Sequence, residues 1–152
     1  MKTSMSLTSF LLAFGLALAT PALAADHGEP GCSVRELAGR WIFATGVGQV
    51  AEIPADITAL GTMNFDRQGN LYGKFDNNIA GIGSFQNIEY FGTVELHPDC
   101  TGTLTFETDE GFFRADSIAV VGKNEMLGMS RDPGNLWTYQ IRRISRRLPH
   151  RK

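Results

Sequence analysis

Short apolar segments that end at Gly, Asn, Asp or Pro follow one another along residues 38–144. Within most of them apolar and polar residues alternate, which is the period of a β-strand with one buried face. The breaks between the segments are short and rich in residues that favour turns. The pattern predicts eight strands, at 41–47, 58–65, 71–75, 85–96, 101–108, 112–121, 125–130 and 136–144.

Eight strands joined by short turns pair as successive hairpins and favour a closed, antiparallel up-and-down barrel, because closure removes exposed sheet edges. We therefore predict an all-β fold. Its only helix is one turn before the first strand, with Ser33 as N-cap and Glu36 completing a capping box. The segments 49–56 and 77–83 are predicted to be loops. Glycines within the strands suit the bends of a small barrel.

Alternation assigns one face of the strands to the interior. The predicted inward residues are Trp41, Phe43, Met63, Phe65, Tyr90, Val94, Leu104, Phe106, Trp137, Tyr139 and Ile141. An eight-stranded barrel is either filled by such side chains or holds one small ligand. In the second case the candidate ligand-binding residues are Trp41, Phe43, Tyr90, Phe106, Trp137 and Tyr139.

The sixth predicted strand can be oriented in two ways. Arg114 and Asp116 share one face because they are two residues apart, and Phe113, Ala115 and Ser117 share the other. The sequence favours an exterior ion pair of Arg114 and Asp116, with the small residues filling the interior. In the opposite orientation the charged pair would face the interior and could bind a carboxylate or perform acid–base chemistry.

The N-terminal residues are typical of a secretory signal peptide. Lys2 precedes an apolar run at 7–19, Pro21 breaks it, and Ala22-Leu23-Ala24 is a small-residue cleavage site. We predict a signal peptide at 1–24, a lead-in at 25–37, a barrel domain at 38–144 and a basic tail at 145–152. The mature chain is predicted to be periplasmic or secreted, without a transmembrane segment. In an oxidising compartment Cys32 and Cys100 are expected to form a disulfide.

Charge is distributed unevenly around a net charge of −2. Residues 25–141 carry seven Lys and Arg against sixteen Asp and Glu, whereas residues 142–152 carry six positive charges. The basic tail either contacts an anionic envelope surface or is a solvated terminus. A net-acidic exported chain argues against nucleic-acid binding. The sequence predicts no metal site, cofactor or catalytic residue, because its three histidines are scattered.

Two segments resemble known families. Gly39-Arg40-Trp41, at the start of the first strand, resembles the lipocalin and calycin signature. That resemblance implies that Trp41 packs across the closed end of the barrel under a basic residue, Arg142 or Arg143. The segment 36–41 is also similar to the opening of periplasmic metalloprotease inhibitors. The segment 97–105 resembles small uncharacterised bacterial secreted proteins with calycin-like or allene-oxide-cyclase-like barrels.

Three functions follow from these features. The first is binding of a small hydrophobic or amphipathic ligand inside the barrel. The second is a periplasmic protein-interaction module, such as a protease inhibitor that acts through the lead-in. The third is a barrel cyclase or isomerase that uses Arg114, Asp116 and a tyrosine. The sequence favours a binding protein over an enzyme and leaves the oligomeric state open.

Overall fold

The computed structural model describes residues 32–50 and 53–149. These residues form one short helix, α1 (Val34–Leu37), and nine strands. The strands are β1 (Gly39–Thr45), β2 (Gly48–Val50), β3 (Ile53–Phe65), β4 (Asn70–Ile79), β5 (Gly83–Leu96), β6 (Thr101–Thr108), β7 (Phe113–Gly122), β8 (Glu125–Ser130) and β9 (Thr138–Ser145). The predicted signal peptide, most of the lead-in and the last residues of the basic tail lie outside the described residues.

The sheet closes on itself, because β1 pairs with β3 on one side and with β9 on the other. From β3 to β9 each strand pairs antiparallel with the next strand in the chain. β1 and β3 to β9 therefore form a closed, eight-stranded up-and-down barrel. The short β2 pairs with the first part of β3. The predicted fold class and topology are confirmed.

Both predicted long loops were wrong. On either side of residues 51–52 the segment 49–56 is strand, with Gln49 opposite Asp56, so β3 begins well before the predicted strand. The segment 77–83 contains the end of β4 and a three-residue turn before β5. Pro54 in the first segment and the asparagines and glycines of the second favour turns, but pairing with a neighbouring strand extends the strands into both segments.

The predicted helical turn is present as α1, but the capping box does not form. Ser33 occupies the N-cap position with an extended backbone, and its side chain makes no capping hydrogen bond. Its carbonyl instead accepts a hydrogen bond from Glu36 N at 2.9 Å.

The predicted inward residues all lie in the interior. Nine of the eleven are buried, and Phe106 and Trp137 are partly buried against the same core. Alternation was therefore a correct guide to the faces of most strands.

One end of the barrel, beside α1, is closed by Trp41. The Trp41 ring is fully buried, and its Nε1 donates a hydrogen bond to the Leu37 carbonyl at 2.7 Å. The Arg143 guanidinium lies 4.4 Å above the ring and also donates to the Glu36 carbonyl. Of the two candidates it is Arg143 that covers the tryptophan, since Arg142 is exposed. Apolar packing and a cation–π contact together close this end.

The predicted disulfide is confirmed. Cys32 and Cys100 are bonded with their Cα atoms 5.0 Å apart, and the bond joins the start of the helical segment to the turn between β5 and β6. It closes a loop with a sequence separation of 68. A loop of this length corresponds to about 4 kcal/mol of stabilisation in the chain-entropy model. The bond therefore holds α1 against the closed end.

Candidate functional site

The opposite end of the barrel, bounded by the turns at 80–82, 109–112 and 131–137, encloses a cavity of about 270 Å³. Its walls are mainly aromatic and aliphatic. The aromatic lining residues are Phe43, Phe75, Phe85, Tyr90, Phe106, Phe112, Trp137 and Tyr139. The aliphatic ones are Ile57, Met63, Ile79 and Ile88, and the polar ones are Asn77, Thr108, Glu110, Arg114 and Asp116. A few polar groups in an apolar concave site are typical of small-molecule binding.

The cavity exists because three aromatic rings lie against the barrel wall over glycines. Each ring is directly opposite a glycine on the neighbouring strand; the pairs are Phe43 with Gly61, Tyr90 with Gly73 and Tyr139 with Gly128. A Cβ at position 128 would lie 2.3 Å from the Tyr139 ring, and one at position 61 would lie 2.5 Å from Phe43. Any side chain at these positions would push the rings away from the wall. The glycines thus leave the lumen open.

A bulge in β5 shapes the mouth of the cavity. Asn87 has a left-handed backbone (φ 57°), and its N–H donates to Asp76 Oδ1 at 2.7 Å. The register between β4 and β5 shifts there, so that Ile88 and Phe85, an odd number of residues apart, both line the cavity. A bulge reverses the alternation of side chains beyond it. Strict alternation along the sequence therefore does not identify Phe85 as a residue of the cavity.

Arg114 and Asp116 point into the barrel, so the expected exterior ion pair was wrong. Their residues are only 3% and 1% exposed. The reason is the register with β6, where Asp116 lies opposite Leu104 and Arg114 opposite Phe106. Directly opposite residues of paired strands share a face, and Leu104 and Phe106 face inward.

The small residues of β7 consequently lie on the outside. Phe113 is 63% exposed, and Ala115 and Ser117 are half-buried on the outer surface. Their predicted role in filling the interior was wrong. The space inside the barrel results from the three glycine positions and not from these residues.

The Arg114 guanidinium is held by aromatic rings and not by a carboxylate. Its Cζ lies 4.8 Å from the Phe112 ring centroid and 5.2 Å from that of Trp137. Its Nη1 is buried without a hydrogen-bond partner. Among the described residues, neither recorded ion pair includes Arg114. A buried cation with an unused donor is an anion-binding group.

Only one of the two carboxylate oxygens of Asp116 has a hydrogen-bond partner. Tyr139 Oη donates a hydrogen bond to Asp116 Oδ2 at 2.9 Å, whereas Oδ1 is buried without a partner. Burial raises the pKa of Asp116, and the Tyr139 hydrogen bond and the Arg114 charge oppose that rise. Burial and the neighbouring Asp116 carboxyl raise the pKa of Tyr139 well above its ordinary value.

Unpartnered polar atoms are concentrated in this cavity. Among the described residues five buried side-chain atoms lack a hydrogen-bond partner, and three of them belong to lining residues: Asn77 Oδ1, Arg114 Nη1 and Asp116 Oδ1. Buried polar atoms in native proteins nearly always have partners. Three of the five exceptions among the described residues therefore belong to the lining of one cavity.

The structure separates the sequence-predicted site residues into two groups. Phe43, Tyr90, Phe106, Trp137 and Tyr139 line the cavity together with Arg114 and Asp116. Trp41 instead lies at the closed end. Asn77 and Thr108 were missed, because single polar residues near turns resemble ordinary turn residues.

Other kinds of site find no support in the described residues. They contain no group of three His, Cys, Asp or Glu side chains that could hold a metal ion. Within residues 32–50 and 53–149 no helix has the length and apolar character needed to cross a membrane.

Several designed proteins share the fold. The sequence matches no protein-family model and no curated protein. Among solved structures, the chain is similar to a de novo designed fluorescence-activating β-barrel, with 14% identity and a TM-score of 0.50 over 70% of this chain and 92% of that one. It is also similar to the redesigned barrel mFAP1 bound to DFHBI, with 15% identity and a TM-score of 0.52 over 73% of this chain and 98% of that one. At these identities the similarity shows the fold alone. The fold and the cavity define the chain as a small, closed β-barrel with a ligand-sized interior site.

Proposed function

We propose that this protein binds a small, mainly apolar molecule inside the open end of the barrel. The observation that carries the proposal is the aromatic-walled cavity, three of whose lining residues have a buried polar atom without a hydrogen-bond partner. A redesigned barrel of the same fold has been solved with DFHBI bound, which agrees with the use of such a lumen as a binding site. A cavity of about 270 Å³ holds on the order of a dozen non-hydrogen atoms at protein packing density.

The chain carries two built-in reporters for binding. It has two tryptophans, Trp137 in the cavity wall and Trp41 at the closed end. Titration with the neutral hydrocarbon β-methylstyrene should shift the indole N–H signal of Trp137 in a ¹H–¹⁵N spectrum and leave that of Trp41 in place. Equal shifts of both signals, or none, would contradict binding in the cavity.

A blocking variant tests the location directly. Ile88 is half-buried and lines the cavity, so Ile88→Trp should fill it and weaken β-methylstyrene binding at least about tenfold. Ile144→Trp is the matched control, because Ile144 is 52% exposed on β9. If Ile88→Trp bound the hydrocarbon as tightly as Ile144→Trp, the cavity would not be the site. Independently of these variants, native mass spectrometry of protein purified from its own cells would identify a retained natural ligand.

We also propose that the protein is exported. The Cys32–Cys100 disulfide supports this, since disulfides persist in oxidising compartments. N-terminal sequencing of the protein from its own cells should find Ala25 as the first residue. A mature protein that retained Met1 would contradict export by the predicted signal.

A second candidate function is acid–base chemistry, as in a barrel cyclase or isomerase. The observation that favours it is the buried Asp116 carboxyl, which has an unpartnered oxygen in the cavity and a pKa raised by burial. In deuterated water the protein would accelerate exchange of the α-hydrogens of a bound ketone such as phenylacetone. The same exchange rate in Asp116→Asn as in the parent would count against this function.

A further inference from the structure

The cavity contains two polar groups that one ligand group can satisfy together. We propose that the ligand is a small organic acid with an apolar body, whose carboxylate binds between Arg114 Nη1 and Asp116 Oδ1. This inference rests on the proposed binding function and specifies the chemical class of the ligand. Both atoms are buried, unpartnered and on residues that line the cavity.

The spacing of the two side chains suits a carboxylate. Arg114 and Asp116 are two residues apart on β7 and face the same way, which places their Cα atoms about 6.6 Å apart. No nitrogen–oxygen pair between them within 4.0 Å appears among the ion pairs of the described residues. Because the two groups share a face without pairing with each other, a carboxylate can accept a hydrogen bond from each of them.

Arg114 supplies the charge for an anion. Its guanidinium is positioned by the Phe112 and Trp137 rings, which leave its in-plane donors available. Rings hold the cation without neutralising it, so the positive charge remains for the ligand. The aromatic remainder of the cavity receives the apolar body.

Asp116 contributes a proton donor. Because Tyr139 Oη donates to Oδ2, that oxygen is an acceptor, and a proton on Asp116 resides on Oδ1. A protonated Oδ1 donates to the second ligand oxygen, while Arg114 donates to the first. Burial raises the pKa of Asp116, which agrees with this state. Binding of the anion therefore keeps a proton on Asp116, and affinity should fall as pH rises through the pKa of that group.

The surroundings of Asp116 include both supporting and opposing groups. Arg114 on the same strand favours its charged form, and Asp132 after β8 favours its neutral form. Tyr139 on β9 and the Ser130 side chain opposite it on β8 also favour the charged form, and Tyr90 on β5 and Glu110 in the turn before β7 line the same cavity. The two acidic neighbours and the two tyrosines add no positive charge, so Arg114 is the cation of this site.

The test uses four probes with one carbon skeleton: cinnamate, cinnamamide, cinnamylamine and the parent hydrocarbon β-methylstyrene. Their affinities are measured by calorimetry and by the Trp137 indole signal. Cinnamate should bind at least about tenfold more tightly than cinnamamide, and cinnamylamine more weakly than either. Tighter binding of the amide or the amine than of the acid would overturn the inference. If the hydrocarbon binds and the acid does not, the inference fails alone; if no probe binds, the proposed function fails as well.

Two variants assign the roles. Arg114→Met should lower cinnamate affinity to that of cinnamamide and leave β-methylstyrene binding unchanged, whereas Arg40→Met, on the exposed outer face of β1, should change neither. Asp116→Asn places an amide donor where the protonated Oδ1 stood, so it should keep cinnamate binding and remove its decline with rising pH. Asp109→Asn, in the exposed turn, should behave like the parent. Loss of cinnamate binding in Asp116→Asn, or the same pH profile as in the parent, would overturn the role of Asp116.

Discussion

The two ends of the barrel use the same pair of side chains, an arginine and a tryptophan, with different results. At the closed end Arg143 covers a fully buried Trp41, whose indole N–H is bonded to the Leu37 carbonyl. At the open end Arg114 lies against a half-buried Trp137, and its Nη1 has no partner. The first pair completes the core, and the second faces an open cavity.

The difference separates an end that stabilises the barrel from the end where we propose that a ligand binds. At the closed end the disulfide, α1 and the Trp41 ring stabilise the barrel. At the open end each unpartnered buried polar group costs about 1–3 kcal/mol. A ligand that supplied the missing hydrogen bonds would offset this cost.

Truncation of the two tryptophans should give the largest contrast. Trp41→Ala removes a fully buried ring and should lower the free energy of unfolding by about 4 kcal/mol. Trp137→Ala removes a half-buried ring beside the cavity and should cost about 1 kcal/mol while weakening ligand binding. Urea denaturation measures the free energy of unfolding of both variants. Equal losses of stability would remove the distinction between the ends.

Glycine substitution tests the origin of the cavity, and its expected effect on stability is of intermediate size. Gly128→Ala should destabilise the fold by about 2 kcal/mol, because the new Cβ meets the Tyr139 ring, and should weaken β-methylstyrene binding as the ring moves inward. Gly122→Ala is the control, since nothing lies within 4 Å of its added Cβ. Thermal unfolding and the Trp137 signal report the two effects. Unchanged binding in a folded Gly128→Ala protein would show that the rings do not depend on the glycines.

Much of the barrel could be predicted from the sequence, because alternation and turn residues act locally. The inward assignment of Leu104 and Phe106 was correct for this reason. The cavity could not be predicted in the same way, since a glycine such as Gly128 is informative only when its partner Tyr139 is known. Cross-strand register is a property of two strands, and alternation describes one strand at a time.

The orientation of β7 was the main error, and the sequence contained a signal that would have corrected it. Both faces of that strand were plausible, and the exterior orientation of Arg114 and Asp116 was preferred because the small residues of the other face would then fill the interior. The hairpin joining β6 to β7 fixes their register and places Asp116 opposite the inward Leu104. The argument failed because this register places Arg114 and Asp116 inside the barrel and the small residues of β7 on its outer surface. The bulge at Asn87 carried no comparable signal.

The smallest expected effect is a gain in stability at the open end. Burial raises the pKa of Asp116 above its ordinary value of 3.8, so the folded protein binds this proton more tightly than the unfolded chain does. Asp116 therefore destabilises the fold increasingly as pH rises from the unfolded pKa through the folded one. Asp116→Asn should raise the stability by about 1 kcal/mol near neutral pH, because it removes a buried charge while an amide oxygen still accepts from Tyr139. The gain should shrink toward about pH 3, below the unfolded pKa, where the carboxyl is mostly protonated in both states. Thermal unfolding of the parent and of Asp116→Asn across this pH range measures the gain. A loss of stability at neutral pH would mean that Arg114 and Asp116 stabilise each other as a closed pair. The contrast between the two ends would then disappear.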